Sequence, residues 1–340
     1  MKLKNIIFIF TLIFYTTDSV FAGFGGNIGT FDRRANSSLD DPNYRGIVRF
    51  NIGNNSTCTG GFVAPNLVIT NRHCAIHCIG KKKANCSISF FDGTTIRDNV
   101  KLIAHMKPND HETLNGRDWT LFLVDTDSQY YKSIAPQSPT NINIRRGGFG
   151  TLRVISDDEL PKIKQITQQV YKNYLSECKT KSAKNPYACL NKHLNTELAK
   201  HNIKPIFGDG KQFKVQTCTI LGKNPQHPTM LKTNCDSAGG DSGAPLLYNG
   251  QIVGLNNSGP QNIFNNDDNY GANALNTNNF YRHYQKFLSY IEQQKPTKTR
   301  DVLSLTHESF KFIPINSEDI DNTDENTQTL LEYMDQFKCE

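Results

Sequence analysis

A serine set between glycines restricts this chain more than any other feature. In Gly239-Gly240-Asp241-Ser242-Gly243-Ala244-Pro245 the flanking glycines let the backbone turn sharply enough to present a hydroxyl beside two inward-pointing N–H groups. In chemical terms Ser242 is a nucleophile, and the N–H groups of Gly240 and Ser242 are donors for an oxyanion. A serine hydroxyl is a weak nucleophile at neutral pH. It needs a base within hydrogen-bond reach and a carboxylate that fixes the tautomer of that base. A fold that uses Ser242 in this way must therefore bring distant segments together.

Two upstream segments offer the missing groups. The apolar run Leu67-Val68-Ile69-Thr70 leads into Asn71-Arg72-His73-Cys74, which supplies His73 as the base. Asp118 heads Trp119-Thr120-Leu121-Phe122-Leu123-Val124 and is the orienter that best matches a carboxylate before a buried strand; Asp110 and Asp125 are the alternatives. Taken singly, each residue has a plainer explanation as a turn serine, a structural histidine or a capping aspartate. Together they stand in the order His73, Asp118, Ser242, which separates the folds on which such triads recur. An α/β-hydrolase is excluded, because Gly240-Asp241-Ser242-Gly243-Ala244 lacks the final glycine of its nucleophile motif and the histidine precedes the serine.

The pattern resembles the trypsin-like, chymotrypsin-fold serine endopeptidases, in which Thr-x-x-His-Cys, an aspartate before an apolar strand, and Gly-Asp-Ser-Gly-x-Pro recur. The resemblance covers residues 45–293 and departs from the usual motifs at Asn71, Arg72 and Ala244. It implies an all-β fold of two antiparallel six-stranded barrels with a C-terminal helix. It also implies acyl transfer from protein or peptide substrates, with no cofactor and no metal. By the same resemblance Cys58 pairs with Cys74, and Asp236, six residues before the nucleophile, lies at the base of the primary specificity pocket and favours Arg or Lys. Asn257-Ser258-Gly259 stands where the family has the Ser-Trp-Gly element that lines the substrate and touches the triad aspartate. Asp241 corresponds to the partner of a new N-terminal amine released on zymogen activation; the usual Ile-Val-Gly-Gly start is absent, and cleavage after Arg34 of the dibasic Arg33-Arg34 takes its place. Asn234-Cys235-Asp236 through Ser242-Gly243 also resembles the secreted relatives of glutamyl endopeptidase, a branch in which the aspartate need not line the pocket. Asn256 replaces the histidine expected there for glutamyl specificity.

The rest of the chain sets the context. Lys2 and Lys4, the apolar run Ile6 to Tyr15, and Val20-Phe21-Ala22 have the layout of a secretory signal peptide over residues 1–22, with cleavage after Ala22 and an extracellular or periplasmic product. The apolar run is too short to span a bilayer comfortably, and no later stretch is apolar enough, so no stable membrane insertion is expected. Nine cysteines in an exported chain point to disulfides. Proximity suggests Cys78 with Cys86, Cys178 with Cys189, and Cys218 with Cys235, leaving Cys339 free or intermolecular. A zinc site built from His73, Cys74, His77, Cys78 and Cys86 is the competing explanation of the first cluster.

Short apolar or β-branched runs at 46–52, 62–70, 87–91, 121–124, 212–221 and 251–255 are expected strands. Residues 157–202 break that rhythm. Ile163, Ile166, Val170 and Tyr174, then Leu190, Leu194 and Leu198, predict an inserted helical hairpin clipped by Cys178 and Cys189. Tyr281 to Gln293 predicts an amphipathic closing helix that buries Phe287, Leu288 and Ile291. The expected organisation is an N-terminal segment or propeptide over 23–45, barrels over 46–137 and 138–293, and an acidic flexible tail over 294–340. Within that tail, residues 317–340 carry eight acids against the single base Lys338. At +6 overall and with no basic stripe interleaved with aromatic residues, nucleic acid is not an expected partner, and the chain is expected to be a monomer. The alternative function is a non-catalytic secreted binding protein on a protease scaffold, with the helical insertion or the acidic tail as its working surface.

Overall fold

Outside the stretch 160–200, turn residues cut most of the chain into short runs that pair as antiparallel strands. The computed structural model describes residues 28, 32–53, 56–76, 78, 85–108, 118–181, 186–208, 210–225, 227–258, 272–294, 306–307 and 310–314. After a short β1 (Ala35–Asn36) come β2 (Ile47–Ile52), β3 (Ser56–Ala64), β4 (Leu67–Thr70), β5 (Cys86–Phe91), β6 (Ile96–Pro108) and β7 (Thr120–Val124). They join in the order β6-β5-β2-β3-β4-β7, and a further β6–β7 pairing closes the ring. The second ring comprises β8 (Ile142–Gly148), β9 (Lys214–Lys223), β10 (Met230–Thr233), β11 (Pro245–Tyr248), β12 (Gln251–Ser258) and β13 (Asn273–Asn276). Its order is β9-β10-β13-β12-β11-β8, closed by β8–β9. The result is the expected pair of six-stranded antiparallel barrels.

Burial explains why several strands read as continuous apolar runs rather than alternating ones. β4 and β7 are buried at every position because one face fills a barrel and the other packs against the rest of the molecule. Val48, Phe50, Phe62, Ile88, Phe90 and Phe122 fill the first barrel, with Phe62 and Phe90 meeting edge to face at 4.9 Å. Ile144, Ile220, Leu231, Leu246 and Val253 fill the second. A separate cluster welds the two together: Ile47, Leu67, Trp119 and Leu121 meet Phe149, Leu247, Ile252 and Phe280. Into the same cluster Phe287 and Leu288 dock from α4 (Tyr281–Gln294), the closing helix.

The helical insertion lies between β8 and β9 as α2 (Leu160–Lys181) and α3 (Pro186–Lys200). Ile163, Ile166 and Val170 recur at helical spacing on α2 and pack with Leu190, Leu194 and Leu198 of α3 in a cluster that also takes in Leu152, Ile155, Ile206 and Ala238. Tyr174 and His193 stack at 3.9 Å across the pair.

Two departures from the sequence expectations concern the ends. Residues 35–36 belong to the second barrel, since Ala35 pairs with Val215 and Asn36 with Lys214. The stretch expected to be a flexible tail contains β14 (Thr306–His307) and β15 (Phe310–Pro314), and β15 adds to the first sheet alongside residues 104–108 of β6. The leader, the acidic residues 317–340, His77, Asp110, Gly259 and Cys339 lie outside the described residues.

Candidate active site

Strand register brings His73 and Asp118 together. β4 ends at Thr70, paired with Thr120 of β7, so Asp118, two residues before that pair, faces the first turn of the short helix α1 (Arg72–Ile76). Asp118 Oδ1 accepts the His73 backbone N–H at 2.8 Å, and Oδ2 lies 2.7 Å from His73 Nδ1. A carboxylate in that position favours the tautomer with the proton on Nδ1, which leaves Nε2 as an acceptor. The Asn71 side-chain amide donates to the Asp118 carbonyl at 2.9 Å, a support that the sequence alone did not single out. Both members of the pair are buried, His73 at 1% exposure and Asp118 at 5%. Asp125 is exposed at the end of β7 and has no such role.

Ser242 arrives from the second barrel. Its carbonyl accepts the Thr59 N–H at 2.8 Å and lies 4.0 Å from Cys74 Sγ, so Ser242 rests against the residue next to His73. Gly243 has a φ of +80°, and a Cβ there would collide with the Thr59 carbonyl and the Thr70 hydroxyl, which explains the glycine. The Ser242 hydroxyl donates to the Asn257 carbonyl at 3.4 Å. His73 Nε2 has no hydrogen bond among the described residues. The hydroxyl thus leans on Asn257 rather than on His73.

The peptide planes around Ser242 are fixed by their carbonyls. Gly239 O accepts from Thr151 N–H at 2.6 Å. Because C=O and N–H point in opposite directions across a trans peptide, the Gly240 N–H faces away from Thr151. Asp241 O accepts from Ala244 N–H at 3.0 Å and from the Asn256 amide at 3.1 Å, which aims the Ser242 N–H the other way in the same manner. The Thr59 hydroxyl donates to Gly240 O at 2.8 Å and accepts from Phe149 N–H at 3.0 Å, tying this turn to the first barrel.

Two acidic residues have partners other than those expected. Asp241, expected to receive a new N-terminal amine, is instead paired with Arg146 of β8: Nη2 to Oδ2 is 2.8 Å, and both side chains are 1% exposed. The signal for this pair in the sequence is glycine. A Cβ at Gly148 or Gly150 would collide with the Asp241 carboxylate, so the residues around Arg146 are small where that carboxylate packs. Asp236, expected to offer its carboxylate to a substrate cation, accepts the Arg33 backbone N–H at 2.7 Å and is completely buried. Arg34 is buried as well. Its guanidinium bonds both oxygens of Asp32 and the carbonyls of Leu152 and Arg153, so the bond expected to be cut after it is stitched into the fold. Burial alone would lower the Arg34 pKa, but the hydrogen bond and charge of Asp32, helped by Asp241 and Asp236, raise it.

The four disulfides join Cys58 to Cys74, Cys78 to Cys86, Cys178 to Cys189 and Cys218 to Cys235. Cys58, His73 and Cys74 lie close enough to hold a metal, but the sulfurs are bonded to each other and supply no thiolate. Asn257 contacts Ser242 as described, and Ser258 ends β12.

No protein-family model and no curated protein matches the chain. Among solved structures it is similar to the scabies mite inactivated protease paralogue S-D1, at 10% identity and a TM-score of 0.47 over 76% of this chain and 97% of that one. It is similar to mouse brain neuropsin, a serine protease, at 13% identity and a TM-score of 0.48 over 77% of this chain and 100% of that one. A Glu endopeptidase crystallised with MPD gives 16% identity and a TM-score of 0.43, covering 75% of this chain and 97% of that one. By its own strand order and barrel closure, the chain has the trypsin-like, chymotrypsin-type fold of the serine proteases.

Proposed function

We propose that the chain is an exported serine endopeptidase that hydrolyses peptide bonds through an acyl-enzyme. His73 Nε2 takes the Ser242 proton as the hydroxyl attacks a peptide carbonyl, and Asp118 stabilises the imidazolium. The N–H groups of Gly240 and Ser242 hold the oxyanion. The proton then passes from His73 to the leaving amine, and water repeats the sequence to release the acid. Asp236 is assigned to the base of the pocket for the residue before the scissile bond, and Asn257 and Ser258 to the lining of the substrate strand. Export fits four disulfides, which form and persist in oxidising compartments.

The observation that supports this assignment is the buried Asp118–His73 pair, with the glycine-flanked Ser242 held against Thr59 and Cys74 beside it. The Ser242 hydroxyl resting on Asn257 favours the alternative, a binding protein on a protease scaffold. A fluorophosphonate probe separates the two: wild type should label and Ser242→Ala should not. Asp118→Asn should stay folded and lose about 10⁴ in turnover, the cost of the wrong imidazole tautomer. Unlabelled wild type, or full activity in Asp118→Asn, would remove the mechanism.

A further inference from the structure

Arg33 takes the carboxylate that the specificity pocket would otherwise offer to substrate. Its backbone N–H donates to Asp236 Oδ2 at 2.7 Å, its Nη1 lies 3.6 Å from Oδ1, and the same nitrogen reaches the Asn234 carbonyl at 3.4 Å. The Asp236 side chain is 0% exposed and that of Arg33 15%, so the arginine sits on the outer side of the pair. Gln216 of β9 holds the aspartate from behind, accepting its N–H at 3.0 Å and donating to its carbonyl at 2.6 Å. The arm that carries Arg33 is equally fixed. Arg34 is bonded to Asp32, Leu152 and Arg153, and Ala35 and Asn36 pair with β9.

The pair lies beside the nucleophile. The residue after Asp236, Ser237, accepts from the Asn256 amide at 3.2 Å, and the same amide bonds Asp241 O one residue before Ser242. A fixed carboxylate attracts a substrate guanidinium or ammonium only while its charge is uncompensated. With a permanently charged arginine against it, a second cation meets repulsion and loses its hydration without gaining an ion pair. An acidic side chain gains little either, because the charge of Arg33 is already committed to Asp236. A neutral side chain meets neither penalty.

We propose that Arg33 is a specificity-determining residue that cancels Asp236 and directs the enzyme to peptides with an uncharged residue before the scissile bond. The proposal rests on the endopeptidase assignment above and makes the arm at residues 32–36 part of the working site. It is tested with fluorogenic peptides that differ only in that residue (Arg, Lys, Glu, Gln, Ala or Leu), with fluorophosphonate labelling run alongside. Wild type should cleave the neutral peptides with higher kcat/KM than the Arg, Lys or Glu peptides. Arg33→Gln should raise the Arg-to-neutral ratio by about tenfold or more, the worth of one charge-assisted hydrogen bond. Arg33→Lys, which keeps the charge, should hold the wild-type ratio, and Arg33→Gln with Asp236→Asn should lose the gain. A wild-type preference for a charged residue, or an unchanged ratio in a folded, labelled Arg33→Gln, overturns the proposal. Wild type that does not label overturns the endopeptidase assignment and this proposal with it, whereas a labelled wild type with the wrong profile overturns this proposal alone.

Discussion

Removing the Arg146 guanidinium tests whether Asp241 is neutralised from within the second barrel. Arg146 Nη2 lies 2.8 Å from Asp241 Oδ2, and both side chains are 1% exposed. The other donor to this carboxylate is the Ala238 N–H at 2.9 Å. In Arg146→Met the carboxylate keeps that one hydrogen bond and loses its counter-charge, a change that costs about 3–5 kcal/mol when one partner of a buried pair is removed. The strain falls on the turn that carries Ser242, because Asp241 immediately precedes it and the Asp241 carbonyl helps aim the Ser242 N–H. Urea unfolding should show a lower midpoint, and fluorophosphonate labelling of Ser242 should slow. Adding Asp241→Asn removes the stranded charge, so the double variant should recover about 2–3 kcal/mol relative to additivity. Wild type with residues 23–34 still attached should label at full rate, since Asp241 has no need of a terminal amine. Wild-type stability and labelling in Arg146→Met, or a double variant no more stable than the single one, would refute the argument.

Three further outcomes follow from local geometry. Thr59→Val strips the Gly240 carbonyl and the Phe149 N–H of their shared hydroxyl partner; it should cost about 1–3 kcal/mol in urea unfolding and slow labelling, and no change in either would contradict the bridging role. Replacing Cys178 and Cys189 by serine removes a link between residues 11 apart and should cost the hairpin about 2–4 kcal/mol. Hydrogen exchange should speed up in α2 and α3, and because Ala238 of the turn before Ser242 packs in the same cluster, Ser242 labelling should slow as well; unchanged exchange and labelling would contradict the clamping role. Asp92 accepts from the Thr95 and Thr94 N–H groups and the Thr94 hydroxyl, which lower its pKa from 3.8 to about 2. Between those values the folded state binds fewer protons than the unfolded one, so this stability is present above about pH 4 and is lost as pH falls through about 2. Asp92→Asn should remove that part of the acid dependence, and an identical stability-versus-pH curve would contradict it.

The elements that carry His73, Asp118 and Ser242 were legible because each is local: a strand leading to His73, a strand headed by Asp118, and glycines around Ser242. The helical insertion was legible for the same reason, its 3.6-residue period standing out among short β runs. β8, β10, β11 and β13 were not singled out, being short segments whose burial depends on closure of the second barrel. The ion pairs were hidden for a deeper reason. Arg33 and Asp236 are 203 residues apart, and Arg146 sits in a strand whose pattern, with Arg145 beside it, reads as solvent-facing. Composition assigns such arginines to the surface, and only the register of the second barrel shows that Arg145 is exposed while Arg146 is 1% exposed. The polar character of the C-terminal region likewise masked Phe310–Pro314, five residues whose pairing depends on the distant strand residues Ala104 to Pro108.

That late strand has a consequence for handling the protein. β6 runs on past its pairing with β5, which ends at Lys101, and along residues 104–108 it takes β15 as its neighbour on the way to the first barrel's rim. A version truncated before Phe310 would leave a row of unsatisfied main-chain donors and acceptors at that border, a template onto which a second molecule can zip. Shortened forms designed to shed the acidic terminus should therefore stop after Pro314, since cutting earlier exposes that border to self-association.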